Sequence, residues 1–147
     1  MNNAKNLIKF LKTVSANIDV IIRNMTGLES FIMKRELEDA KCILEKTINV
    51  LAEGLIIAGE AEPTITEAVL AYQENIVQST HRTAKEASEI LGNNLDHVIS
   101  IIDSAEDDQE ITERMRGEMN ELRDFCRYKN YYLQPSKRKA EPEDEDE

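Results

Sequence analysis

The apolar residues of the N-terminal segment follow the spacing of an α-helix that packs against partner helices. Steps of four and three residues alternate along the segment, as in the seam of a heptad repeat. The residues of this seam are Leu7, Leu11, Val14, Ile18, Ile21 and Met25. With five glycines and three prolines among 147 residues, little interrupts such helices. The pattern therefore predicts an all-α protein.

The apolar pattern divides the chain into five predicted helices. Their approximate ranges are 3–25, 28–58, 65–91, 94–103 and 108–132. Capping-box sequences begin at Thr26 and Thr64 and indicate two helix starts, while Gly92 is expected to end the third helix. We expect a single domain over residues 1–133, built as an antiparallel four-helix bundle. The inner face of the second helix is expected to include Leu28, Phe31 and Ile32.

A shift in phase separates the last two apolar stripes. Ile111 follows Ile102 by nine positions, and this spacing rotates a straight helix by about 180°. We therefore expect a break near residues 104–108, followed by a fifth, C-terminal helix that can project from the bundle.

Charge is unevenly distributed along the chain. The formal net charge is −11, and an acidic body argues against a general nucleic-acid binder, because phosphate binding needs clustered Lys and Arg. Residues 134–147 combine a basic triplet, Lys137 to Lys139, with an acidic run. We expect this segment to be a disordered charged tail.

Two clusters of charged side chains are candidate partner-binding sites. The acidic cluster consists of Asp107, Asp108, Glu110 and Glu113. Carboxylates on a helix can imitate nucleic-acid phosphates, so this cluster suggests an inhibitor that blocks a nucleic-acid-binding enzyme. The plainer reading is an exposed, acidic helix start.

The second cluster alternates tyrosines with cations near the C-terminal end of the last helix. Its residues are Arg127, Tyr128, Lys129, Tyr131 and Tyr132. Tyr and Arg are enriched in protein interfaces, and aromatic side chains beside cations can also stack on bases. Alternatively, the tyrosines pack on the bundle, and the cations interact with the helix dipole.

A candidate basic face on the first helix comprises Lys5, Lys9 and Lys12. The segment from Lys5 to Leu11 is similar to the opening of small terminase subunits from short-tailed phages. That resemblance covers seven residues and implies a helical, ring-forming DNA-packaging subunit, in which these lysines would serve as DNA contacts. An evident helix-turn-helix is lacking.

Motifs for catalysis or for cofactor and metal binding are missing from the sequence. A carboxylate-bridged di-metal site needs Glu-x-x-His, but Gln78 precedes His81 by three residues and Asn94 precedes His97. Neither glycine-rich phosphate loops nor zinc-ligand spacing occurs. We expect no cofactor and no small-molecule substrate, and the two cysteines, Cys42 and Cys126, are expected to be reduced and at least half-buried.

The sequence thus predicts a non-enzymatic protein that acts through protein–protein association, as a homo-oligomer or an adaptor. Its partner would be a second copy or a basic protein, with nucleic acid as a weaker alternative. A transmembrane run and a signal-peptide pattern are both missing, so we expect a cytoplasmic protein without membrane contact. The alternatives that remain are the acidic nucleic-acid mimic and the DNA-packaging subunit.

Overall fold

The computed structural model describes residues 1–28 and 30–133 and confirms the all-α class. These residues form five α-helices and one short 3₁₀ turn, at Gln73–Asn75, joined by turns and extended segments. The helices are α1 (Asn2–Arg23), α2 (Ser30–Ile57), α3 (Ile65–Ala71), α4 (Ala84–Ser104) and α5 (Glu113–Leu133). The tail predicted at 134–147 lies outside the described residues.

The four long helices form a bundle in which each helix contacts two antiparallel neighbours. Helix α1 packs between α2 and α4, and α5 packs against the same two helices on the other side. The direction of α2 relative to α1 is seen in two contacts, Asp19 with Lys41 and Ser15 with Glu45. Helices α2 and α4 are therefore parallel, and residues 58–83 connect them by one long crossover that contains α3. Ferritin-like four-helix bundles share this connectivity.

The heptad seam of α1 lies in the centre of the bundle, as predicted. Its six residues are all nearly inaccessible to solvent. Phe10, which falls between two seam positions, is also fully buried, because α3 and α4 cover that side of α1. Helix α1 thus contacts the rest of the fold on a wider face than the heptad alone predicts.

The predicted boundaries of the third and fourth helices are wrong. Helix α3 ends at Ala71, and α4 begins at Ala84 and continues through Gly92. The start of α4 is fixed by a capping box, in which the Thr83 hydroxyl accepts a hydrogen bond from the Glu86 amide at 3.1 Å. The Glu86 carboxylate accepts one from the Thr83 amide at 2.9 Å. A helix interior accepts a glycine at a cost of about 1 kcal/mol, so Gly92 need not end α4.

The C-terminal helix does not project from the bundle. Helix α5 packs along α2 and α4 and is one of the four core helices, while α3 is the short additional element. The predicted break is present, since α4 ends at Ser104 and α5 begins at Glu113. Helix α5 therefore starts five residues later than predicted, after a turn that reverses the chain and brings its apolar stripe back onto the core.

Candidate interaction surface

Three tyrosines form an exposed cluster with tilted and edge-to-face ring contacts on the last two turns of α5. The ring centroids of Tyr128 and Tyr132 are 4.9 Å apart, and those of Tyr131 and Tyr132 are 5.4 Å apart. All three side chains are exposed to solvent. Each of these side chains is nevertheless partly covered, with 40–61% of its surface exposed, so packing on the bundle and an exposed contact surface are both compatible with their positions.

Helix α2 and the turn before it expose apolar side chains near the start of the helix. Leu28, Phe31 and Ile32 are strongly exposed, so their predicted place on the inner face is wrong. The buried face of α2 instead includes Met33, Leu37, Ala40, Leu44, Leu51 and Leu55. Each residue of a helix is rotated by about 100° from the next. Residues 31 and 32 are therefore turned away from the side on which Met33 is buried.

A groove of about 500 Å³ lies between the start of α2 and the end of α5. We call it the tyrosine groove. Its lining residues are Ile32, Met33, Glu36, Tyr128, Lys129, Tyr132 and Leu133. The ammonium of Lys129 pairs with the Glu36 carboxylate across the groove and lies 5.5 Å from the centre of the Phe125 ring. This ion pair joins the two helices and leaves the groove mainly apolar and aromatic.

The structure brings most of the predicted tyrosine–cation cluster into this one surface. Tyr128, Lys129 and Tyr132 line the groove, and Tyr131 contacts Tyr132. The Arg127 side chain is exposed and makes no ion pair within the described part of the chain. Sequence analysis did not assign Phe31 and Ile32 to this surface. Their positions depart from the spacing of the buried face of α2, and that departure is the signal that indicates their exposure.

The predicted acidic cluster lies at the opposite end of the bundle and is partly occupied by the chain itself. The Asp108 carboxylate accepts hydrogen bonds from the Glu110 amide and from the Asn3 side chain, both at 2.9 Å. These two bonds lower the pKa of Asp108 below its usual value. The Glu110 carboxylate pairs with the amino group of Met1. Asp107 and Glu113 are exposed.

The predicted basic face on α1 is largely neutralised by the start of the crossover. Lys5 pairs with Glu60, and Lys12 pairs with Glu62 at 2.7 Å and donates to the Pro63 carbonyl. Among the described residues, Lys9 makes no ion pair within salt-bridge distance. These lysines therefore belong to a mixed-charge surface between α1 and the crossover.

The side chains of the bundle do not fit the di-metal carboxylate centre that ferritin-like bundles can hold. Within residues 1–28 and 30–133, no three His, Cys, Asp or Glu side chains group as metal ligands would. The buried polar side chains are uncharged ones, Thr13, Ser15, Asn17, Ser30, Thr47, Asn94 and Asn130. His97 instead stacks on Phe10, with 4.3 Å between ring centroids.

The two cysteines differ in their environments. Cys42 is exposed on the outside of α2, so its predicted burial is wrong. Cys126 is buried, and desolvation of its thiol raises the pKa to about 12. Because Cys126 is buried and its raised pKa keeps the thiol protonated, Cys42 is the accessible thiol of the chain.

Comparison with known proteins shows the fold. No protein-family model matches this chain, and no curated protein matches it. A similar solved structure is the crystal structure of antigen TpF1 from Treponema pallidum. The sequence identity is 11%, the alignment covers 92% of this chain and 90% of that one, and the TM-score is 0.78. At this identity the similarity supports the helical architecture over almost the whole chain.

Within the described part of the chain, each helix is too short or too polar to cross a membrane.

Proposed function

We propose that this chain is a non-enzymatic assembly protein that acts by binding other protein surfaces, with the tyrosine groove as a contact site. The observation that carries this proposal is the tyrosine groove, in which Ile32 of α2 lies with Tyr128 and Tyr132 of α5. Six apolar or aromatic side chains in the groove or close to its residues in sequence are between 40% and 91% exposed, namely Leu28, Phe31, Ile32, Tyr128, Tyr131 and Tyr132.

The size of this surface supports an interface. A large side chain exposes roughly 200 Å² when fully accessible, so these six together expose about 700–800 Å². One partner in a standard protein interface buries about 800 Å², and the largest apolar patch on an ordinary monomer is about 300–600 Å².

The chemistry of the surface also supports protein recognition. Tyrosine provides a large contact area, and few rotatable bonds are fixed when it binds. Tyrosine and arginine are both enriched among the residues that dominate binding energies, and Arg127 lies beside Tyr128 in the sequence. The groove is formed by two helices of the bundle core, so binding needs little prior ordering of the backbone.

The two nucleic-acid hypotheses receive less support. A phosphate mimic needs free carboxylates, but Asp108 and Glu110 are already engaged by Asn3 and the amino terminus. A DNA-packaging subunit needs free cations, but Lys5 and Lys12 are ion-paired with the crossover. Both hypotheses remain predictions that binding measurements can check.

A site-specific photo-crosslinker tests the proposal. We would place benzoylphenylalanine at Tyr132 in the full chain, and at Leu70 as the matched control. Leu70 is an exposed apolar residue of α3, away from the tyrosine groove. Irradiation in the source cells should yield protein adducts from position 132, and Ile32→Ser should reduce their yield at least tenfold. Equal yields from both positions, or none at position 132, would contradict the proposal.

A further inference from the structure

The outer face of α2 carries a continuous stripe of exposed residues, which we call the α2 seam. Successive members are three or four residues apart, so they share one side of the helix. They are Phe31, Arg35, Asp39, Cys42, Lys46, Asn49, Glu53 and Ile57. The seam runs over almost the whole helix, about 40 Å at 1.5 Å per residue.

The charges along the α2 seam are complementary to the same seam read backwards. From Phe31 the order is apolar, positive, negative, Cys42, positive, negative and apolar, with Asn49 as an uncharged member. In an antiparallel pair of α2 helices, Phe31 therefore faces Ile57 of the other copy. Arg35 faces Glu53, and Asp39 lies near Lys46 and Asn49.

One two-fold axis satisfies the two outer pairings at once. In a symmetric dimer, if residue i contacts residue j, then j also contacts i. The pairs Phe31 with Ile57 and Arg35 with Glu53 both place the axis at residue 44 of α2. With this axis Asp39 faces Asn49 of the other copy, and Lys46 of that copy lies about one turn away. The Arg35–Glu53 pair is formed twice, and both ends of the contact are apolar.

The seam charges are available for pairing with another molecule. Arg35 and Asp39 make no ion pair with any other described residue. Glu53 pairs with Arg114 at 2.9 Å, but both side chains are more than 60% exposed. Lys46 is 60% exposed and lies 3.8 Å from Glu121 and 4.0 Å from Glu118, whose side chain is 11% exposed. Exposed pairs contribute at most about 1 kcal/mol, so exchanging them for pairs across a dimer has a small cost.

The area of the seam suits a dimer. A strip 40 Å long and one helix diameter wide covers about 400–500 Å². Exposed apolar residues that flank it at both ends, Leu28, Ile32 and Ile56, enlarge the apolar part of the contact. The area of the seam together with these flanking residues approaches the roughly 600–800 Å² that each partner buries in a weak to standard interface.

We infer that a second copy of this chain docks antiparallel on the α2 seam to form a two-fold dimer. The inference rests on the proposed role in protein association and assigns the partner for one surface. Phe31 and its neighbours Leu28 and Ile32 belong to both surfaces, whereas Arg35, Cys42 and Glu53 do not line the tyrosine groove. Charge variants of the seam and variants of the α5 tyrosines therefore test different contacts.

A charge-exchange experiment tests the inference. In a dimer of R35E, both contacts between positions 35 and 53 place Glu against Glu. In a dimer of E53R, both contacts place Arg against Arg. Each variant should sediment as a monomer at concentrations where the native chain dimerises, with a Kd at least tenfold weaker. An equimolar mixture should dimerise again, because every pair between the two variants has opposite charges. K85E, a reversal at an exposed lysine of α4 outside the seam, should dimerise like the native chain.

Cys42 provides an independent readout because it lies within two residues of the two-fold axis. A short-armed bismaleimide should link two native chains through Cys42, and Cys42→Ser should abolish the product. Buried Cys126 should not contribute. A native chain that stays monomeric at millimolar concentration would overturn the inference.

The remaining outcomes separate the two proposals. If R35E dimerises as well as the native chain and mixing adds nothing, the second copy binds elsewhere and the α2 seam is the wrong surface. If the native chain stays monomeric while position 132 still yields photo-adducts, the seam inference fails and the proposed function stands. Absence of both the dimer and the adducts would contradict both.

Discussion

The side chain of Asn17 on α1 holds the backbone of the crossover at Val77. Asn17 Oδ1 accepts a hydrogen bond from the Val77 amide at 3.0 Å. Its Nδ2 donates to the Asn75 carbonyl at 2.8 Å and to Asn94 Oδ1 of α4 at 3.3 Å. Because Asn17 is only 2% exposed, this one amide fixes the point where the extended segment passes between α1 and α4.

Asn17→Ala should therefore destabilise the fold and loosen the crossover. The substitution removes three hydrogen bonds and leaves the Val77 amide and the Asn75 carbonyl without their partner, at a cost of about 1–3 kcal/mol. Urea denaturation should show this loss of unfolding free energy, and limited proteolysis should show faster cleavage between α3 and α4. Asn93→Ala, at an exposed position of α4, should change stability by less than about 0.5 kcal/mol. Equal losses in both variants would contradict the role given to Asn17.

The role of Asn17 shows which parts of the fold the sequence pattern could predict. Heptad spacing located α1 and the buried face of α5, because burial of an apolar stripe depends on local periodicity. The pattern does not predict the role of Asn17, since its partners are 58–77 residues away along the chain. The extended segment before α4 depends on those distant contacts. The start of α4, in contrast, is indicated locally by the capping-box sequence that begins at Thr83.

The candidate site was predictable only in part for a similar reason. Tyrosines alternating with cations are visible in the sequence, and Tyr128, Lys129 and Tyr132 do line one groove. That this surface continues onto Phe31 and Ile32 depends on which face of α2 is buried. Residues 28–32 show apolar spacing on their own, and only the longer register set by Leu37, Ala40 and Leu44 shows that they lie outside the core.

Gly54 on α2 marks a close approach to α5. A Cβ atom at this position would lie 2.5 Å from Sδ and 2.8 Å from Cγ of Met115, which is buried. Gly54→Ala should therefore lower stability by about 1–2 kcal/mol, since crowding in a packed core costs about 1–3 kcal/mol and alanine regains up to about 1 kcal/mol of helix propensity.

Gly117 is the matched control for this prediction. It lies in α5, and a Cβ atom there meets nothing within 4 Å. Gly117→Ala should stabilise the protein by up to about 1 kcal/mol, measured by urea denaturation alongside Gly54→Ala. The close approach would be disproved if the two substitutions stabilised the protein equally.

The capping box of α4 should make stability depend on the charge of Glu86. The hydrogen bond from the Thr83 amide lowers the pKa of the Glu86 carboxyl below the ordinary value of 4.5. The carboxylate is thus favoured in the folded state, and its contribution is complete above the ordinary pKa and is lost as the pH falls through the lowered pKa.

Glu86→Gln imitates the protonated carboxyl and provides the measurement. At pH 7 the variant should unfold at a lower urea concentration than the native chain, and the difference should disappear at acidic pH. Glu89→Gln, at an exposed position one turn later, should show no such convergence. A difference for Glu86→Gln that is independent of pH would mean that the carboxylate charge does not act at this helix start.

The two cysteines should react with a thiol reagent at very different rates. The thiolate is the reactive form, and burial raises the pKa of Cys126 to about 12, with a smaller contribution from Asp96. In native buffer at pH 8, a disulfide reagent such as dithionitrobenzoate should modify one thiol per chain quickly, and Cys42→Ser should remove that fast phase.

Cys126 should react only when the bundle opens, because its side chain is buried on α5 against the core. Its labelling rate should therefore rise with urea and follow global unfolding. In the Cys42→Ser background this slow phase can be measured alone, and Gly54→Ala should accelerate it while Gly117→Ala slows it. Fast modification of Cys126 in the native state would mean that α5 leaves the bundle readily, and the packing of α5 on α2 and α4 would then need revision.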